Sequence, residues 1–307
     1  MKRIIFDTDP GHDDILAIMT ALAHNSELEP LSFVTVAGNQ TLDKVTDNIL
    51  KVEEYLGIDI PVYKGLDKPL VKESKPQPLA HGESGMDGPI LPTPKRRAEE
   101  LSGIDYYKKV LSSADKVTIV ALAPLTNLGY ILKEDPSLAR NIEQIVLMGG
   151  ALNGGNINKY AEFNSWHDPE AAKIVFDSGV KVVMAPLEVC YSGGIMIEET
   201  ERFKNRGKAS KLVSDLFDFY CRYAIERNWD KTAVFDLIPV IYLLKPEIFV
   251  RKQGKMNVIL DGEDTQGQTI FTEGEGNHTV LIDTDREECM NVFFDAIYAL
   301  DKIFSKK

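Results

Sequence analysis

Short apolar runs alternate with amphipathic helical stripes along most of this chain, and that alternation narrows the architectures open to it. Ile4-Ile5-Phe6 reads as a buried strand; Ile15, Ile18, Met19 and Leu22 then recur at the i, i+3, i+4, i+7 spacing of a helix with one buried face. Residues 31–37 (LSFVTVA) read as a second strand, and Val45, Ile49, Val52 and Leu56 as a second helical stripe stopped at Gly57. The pattern resumes at residues 117–122, before APLTN opens a helix, at 145–148 ahead of Gly149-Gly150, and at 180–185. Asp168-Pro169-Glu170 starts a helix with an acidic cap and a proline in its first turn. Residues 250–284 read as short strands and turns, and 292–303 as a closing helix. Such strand–helix–strand units build a mostly parallel open sheet with helices on both faces, a Rossmann-like core. With no internal repeat or flexible linker, the expectation is one α/β domain over residues 1–307. The proline- and glycine-rich segment 64–97 predicts a functional loop or lid.

Charge and cysteine content exclude several classes. A net charge of −12 argues against a nucleic-acid or anionic-membrane partner and fits a cytoplasmic protein. The three cysteines, Cys190, Cys221 and Cys289, are widely spaced and form no CxxC, so neither a disulfide framework nor a zinc site is indicated. Asp7 and Asp9 interrupt the first apolar run too early for a signal peptide, and no stretch is long and apolar enough for a transmembrane helix.

The first strand ends in DTDPGHDD, four aspartates and a histidine within residues 7–14. Two carboxylates about 4 Å apart repel by roughly 4 kcal/mol at an effective dielectric near 20, so something must offset the crowding. Capping of the following helix accounts for Asp13 and Asp14 but not for all four. A hard cation accounts for more, and an all-oxygen cage favours Ca²⁺, which takes six to eight oxygen ligands, over Mg²⁺. Other polar residues also fall just after strands: Asn39, Thr126-Asn127, Asn156, Glu162, Asn164 and Glu188. In open parallel sheets, ligands bind beyond the carboxyl ends of the strands.

DTDPGHDD resembles the signature of the inosine-uridine-preferring nucleoside hydrolases. The resemblance continues in the family's order through VAGNQ (36–40), HGESGMDG (81–88), APLTNL (123–128), LMGG (147–150), GGN (154–156), AEFNSWHDPEAA (161–172) and FDLIPVIYLL (235–244). It implies hydrolysis of a ribonucleoside to a free base and ribose, with bound Ca²⁺ and a homodimeric or homotetrameric assembly. Carried over motif by motif, Asp9 is the implied general base, taking a proton from a water on the cation. Asp9, Asp14, Asp236 and the Thr126 carbonyl are the implied metal ligands. Asp13 and Asn164 would hold ribose hydroxyls, with Asn39, Met148, Asn156 and Glu162 completing the sugar pocket. Asp7 would position the loop. The reaction passes through an oxocarbenium-like state, which nearby negative charge stabilises.

The base side departs from the family's pattern. Where many members carry His-Asp, this chain has Phe235-Asp236, so the metal ligand is kept and the histidine that protonates the leaving base is missing. His81 matches a family histidine near the base and is the candidate substitute acid. Phe235 and Trp229 could stack on a base, and Tyr223 and Arg227 could donate hydrogen bonds to it. The missing histidine favours purines or an unusual base, because stacking can raise the basicity of a purine. His12 is expected to support the aspartate motif, His167 to pack, and His24 and His278 to lie at the surface, while Cys190 and Glu188 occupy a strand-end loop.

Two other classes fit parts of the pattern. A haloacid-dehalogenase-like phosphatase would use Asp7 as nucleophile and Asp9 as acid/base with Mg²⁺, but leaves Asp13-Asp14, AGN and EFN unexplained. A nucleoside- or ribose-binding protein without catalysis rests on Phe235, while the retained Asp9, Asp14 and Asp236 argue against it.

Overall fold

In the computed structural model, which describes residues 1–113 and 115–305, β1 (Lys2–Thr8) lies inside a nine-stranded sheet. The chain continues with β2 (Leu28–Thr35), β3 (Val62–Lys64), β4 (Val117–Ala121), β5 (Ile142–Met148) and β6 (Val182–Ala185). A two-stranded ribbon follows, β7 (Ile195–Met196) with β8 (Lys231–Thr232), and then β9 (Phe249–Val258), β10 (Thr269–Glu273) and β11 (His278–Thr284). The large sheet runs in the order β10-β9-β11-β6-β5-β4-β1-β2-β3. All pairs from β11 to β3 are parallel, and only β9 pairs antiparallel, with β10 and β11.

Alternate strand residues feed two apolar layers, as a doubly covered sheet requires. Ile4, Phe6, Phe33, Val120 and Val146 face one layer, closed by the helices His12–Ala23, Lys208–Tyr220 and Arg286–Phe304. Ile5, Val34, Ile119, Ile145 and Met184 face the other, closed by the helices Gly103–Leu111, Thr126–Glu134 and Pro169–Asp177. Among the described residues, no helix is long and apolar enough to cross a membrane.

Several boundaries shift from the sequence reading. β2 runs from Leu28 to Thr35, after which Val36 donates to the Thr8 carbonyl and the chain turns toward the strand ends. The first helix begins at His12, so Asp13 and Asp14 lie in its first turn, where carboxylates complement the helix dipole. Glu188 and Cys190 belong to a short helix, Leu187–Ser192, rather than a loop. His278 is not at the surface: β11 runs between β9 and β6, and this buries the ring, whose Nδ1 accepts from the Met256 N–H at 2.8 Å. His24 is half-buried, with its ring on the Thr20 carbonyl.

Candidate active site

The aspartate motif sits where β1 ends, and each of its carboxylates is buried. Asp7 faces away from the cavity side of the loop: its Oδ2 accepts from the Tyr107 hydroxyl at 2.8 Å and from Asn127 Nδ2 at 3.0 Å, and burial pushes its pKa up to about 7. Asn127 in turn accepts from the Leu66 N–H, so this network ties β1, the helix Thr126–Glu134 and the loop after β3 together. Asp14 folds back on its own turn, taking the Gly11 N–H at 2.9 Å and the Thr8 hydroxyl. Asp9 Oδ2 takes the Asn39 N–H at 2.6 Å. Gly38 makes that approach possible, because a Cβ there would collide with the same oxygen.

Carboxylate oxygens of Asp13, Asp14 and Asp236 all lie within 4.8 Å of one another. Asp9 stands beside them, and its pKa is raised well above the usual carboxylate range by burial and by the Asp14 charge. Burial lifts Asp14 to about 7, with Asp13 adding to the effect, and lifts Asp13 to about 6. Asp236 is raised further, by burial and then by Asp13, Asp14 and Asp9. Among the described residues, no lysine or arginine forms an ion pair with any of the four. Asp9 Oδ1 and Asp13 Oδ1 are buried without a hydrogen-bond partner. Buried acceptors left unpaired are costly. An uncompensated all-oxygen cluster with two free acceptor atoms fits a hard cation such as Ca²⁺.

Above this floor opens a cavity of about 380 Å³. The structure brings most of the expected residues to its wall: Asp13, Asn39, His81, Met148, Asn156, Glu162, Asn164, Tyr223, Trp229, Phe235 and Asp236. Asp9, Asp14 and Thr126 are not on the wall but are buried. Thr126 opens its helix with the hydroxyl donating to Asp168 Oδ2 at 2.8 Å. Arg227 is elsewhere: it is exposed, its guanidinium stacks 3.4 Å from the Tyr223 ring centre, and it donates to the Tyr223 carbonyl. A separate groove of about 450 Å³ beside β10 contains Lys252 and Glu273, which pair with each other, and gathers none of the expected residues.

The wall residues differ in what they have left to offer. Asn164 Nδ2 already donates to the Leu122 and Met148 carbonyls, which leaves its Oδ1 available to the cavity. Asn156 Oδ1 takes the Phe163 N–H, leaving its amide nitrogen. Glu162 is more committed, accepting from the Asn164, Ser165 and Gly150 N–H groups. It caps the Phe163–His167 helix and fixes the corner after β5. His81 is held by His12, whose backbone N–H and ring Nδ1 both approach His81 Nδ1, at 3.4 and 3.1 Å. His12 Nε2 donates to the Asp87 carbonyl at 2.8 Å. A Cβ at Gly11 would lie 2.6 Å from the His81 ring, so glycine is needed there too. Burial pushes His81 down to about 4, so the ring is neutral in the empty cavity.

Sequence reasoning missed several residues here. Tyr220 donates to Asp13 Oδ2 at 3.2 Å and stacks on His12, and nothing near it in sequence marks it out. Asp168, read as a helix cap, also fixes Thr126 and the Leu70 N–H. Tyr191 and Lys231 line the cavity from the Leu187–Ser192 helix and from β8.

A parallel sheet whose strand ends gather buried carboxylates beneath a cavity rimmed with amides and aromatic rings offers a seat for a hard cation and for a small polar substrate with an aromatic part. The chain belongs to the inosine-uridine preferring nucleoside hydrolase family, whose sequence model matches residues 4–291. It is thus a nucleoside N-ribohydrolase. It is 41% identical to the pyrimidine-specific ribonucleoside hydrolase RihA of Citrobacter koseri, over 96% of this chain and 98% of that protein. Among solved structures, the purine-preferring ribonucleoside hydrolase from Gardnerella vaginalis superposes with a TM-score of 0.92 at 31% identity, covering 98% of this chain and 100% of that one. A plant nucleoside hydrolase, PpNRh1, superposes with a TM-score of 0.90 at 29% identity, over 97% of this chain and 99% of that one.

Proposed function

We propose that this enzyme cleaves the N-glycosidic bond of ribonucleosides with Ca²⁺ held by Asp9, Asp14, Asp236 and the Thr126 carbonyl. The observation that carries the proposal is the cluster of Asp13, Asp14 and Asp236 with Asp9 beside it, all buried beneath the cavity, without a basic ion-pair partner among the described residues and with a free oxygen on Asp9 and on Asp13. When bound, the cation would lower the pKa of water and grip ribose hydroxyls. Asp9 is the general base: Asn39 holds its Oδ2, and the free Oδ1 takes the proton of the attacking water. Asp13, steadied by Tyr220, and Asn164 accept from ribose hydroxyls through the oxygens they have left. Asn39, Met148, Asn156 and Glu162 shape the sugar pocket around them. The buried negative charge also favours the oxocarbenium-like state as the base departs. Family membership supports a homodimer or homotetramer, and the net charge of −12 fits a cytoplasmic protein.

The test is a panel of inosine, adenosine, guanosine, uridine, cytidine and p-nitrophenyl riboside, assayed for released ribose with calcium and with chelator. Chelator-sensitive hydrolysis of at least one nucleoside is expected. No ribose from any of the six would overturn the proposal in favour of a binding protein.

Base choice is set at the other end of the cavity. Relatives named for pyrimidine specificity and for purine preference share this family or fold, so the sugar end does not decide it. Phe235, Trp229 and Tyr223 supply aromatic surface there. His81 is proposed to contact the base. As a proton donor it would have to take up its proton together with the substrate, because burial keeps the empty-site ring neutral. His81→Ala should slow natural nucleosides about tenfold more than p-nitrophenyl riboside, whose leaving group needs no proton. Equal losses on both would remove His81 from the base side.

A further inference from the structure

The cavity carries one cation among the described residues, Lys231, and neither the family's implied site nor the sequence reading uses it. β8 pairs with β7, setting Lys231 opposite Met196, and the lysine stem runs beside Gly194, where an added Cβ would come within 3.3 Å of Cγ. The side chain is half-buried, yet its ammonium makes no hydrogen bond or ion pair among the described residues. Asp13 and Asp236 are buried at the sugar end, whereas Lys231 follows Trp229, which is 51% exposed, on the aromatic rim with Tyr191. With its ribose on the carboxylates, as proposed above, a nucleoside has its base left for the aromatic part of the wall, which Lys231 shares.

We infer that Lys231 is the specificity-determining group for the leaving base, and that it selects bases with a carbonyl oxygen on the edge away from the sugar. The inference rests on the nucleoside hydrolase proposal above. As the bond from C1′ to the base nitrogen breaks, its electron pair moves into the ring and onto the carbonyl oxygens. Asp9 takes the proton of the attacking water, and that water's oxygen bonds C1′. The ammonium donates a hydrogen bond to the charged oxygen and keeps its proton; the base leaves as an anion and is protonated by solvent. A fixed charge aimed at developing charge is the usual source of such stabilisation. This supplies what Phe235 cannot give in place of the family's histidine. Because an ammonium only donates, an amino group at the same edge gains nothing. Uridine and inosine should accordingly be cleaved faster than cytidine and adenosine.

The experiment measures kcat/KM on uridine, cytidine and p-nitrophenyl riboside for the calcium-loaded wild type and for Lys231→Met, Lys231→Gln and Lys231→Arg. Both neutral variants should lower the ratio of uridine to nitrophenyl activity about 100-fold and erase the preference for uridine over cytidine. Lys231→Arg, which keeps the charge, should recover most of both. An unchanged ratio in the neutral variants, or equal losses on all substrates in both, would overturn the role of Lys231 and leave the nucleoside hydrolase proposal standing. A wild type inactive on every substrate would overturn that proposal and this inference together.

Discussion

Asp9→Ala is expected to lower kcat by at least about 1,000-fold on every substrate, the nitrophenyl riboside included. The loss is general because the proposed role of Asp9 precedes any choice of base. In that role its free oxygen would receive the proton of the attacking water, and its charge would help hold the cation. The alanine variant also strands the Asn39 N–H that now donates to Oδ2, which costs about 1–3 kcal/mol. Against that, it removes one of four buried carboxylates that repel each other. The fold should therefore survive, with a circular dichroism spectrum matching wild type. Asp9→Asn, whose amide oxygen can still accept from Asn39, separates the two effects and should be equally inactive. A rate near wild type in either variant would remove Asp9 from the mechanism.

The second large effect is on stability, and its sign follows from the same carboxylates. In the metal-free protein burial raises Asp14 to about 7 and Asp13 to about 6, from an ordinary 3.8. Carboxyls raised in this way bind protons more tightly folded than unfolded. Their contribution is present in full below 3.8 and is lost as pH climbs through about 6 to 7. Chelated protein should therefore melt at a lower temperature at about pH 8 than at about pH 5. Calcium at a hundredfold excess over its Kd should raise Tm by about 5 °C at the higher pH and by less at the lower one, where protons compete for the same oxygens. Differential scanning calorimetry with and without chelator checks this. A calcium effect of equal size at both pH values would show that these carboxylates are not the site.

What could be read from the sequence was what repeats or lies close together along the chain. The alternation of apolar runs and helical stripes led to the parallel sheet, and DTDPGHDD led to the cluster at the end of β1. Strand starts were less legible. β2 opens at Leu28 in a stretch containing Glu29 and Pro30, which break the apolar pattern but pair with β1. The surface assignment of His278 failed because β11 is enclosed by neighbours that periodicity alone does not reveal. At the site, Tyr220 and Lys231 look like any other helix or strand residue until the Lys208–Tyr220 helix and the β7–β8 ribbon are folded over the cavity. Arg227 was the opposite case: four residues from Tyr223, it turned its charge onto that ring and away from the cavity.

The sheet order also has a consequence for the timing of folding during synthesis. Asp9, Asp13 and Asp14 leave the ribosome well before Asp236 and Tyr220, which complete their surroundings and come more than two hundred residues later. The helix that carries Asp13 and Asp14 also packs against the closing helix Arg286–Phe304. A nascent chain thus holds a half-built acidic cluster until the segment carrying Tyr220 and Asp236 emerges, and that segment closes it. Capture of the ion would then act as a late lock on a nearly finished fold rather than as a seed for it.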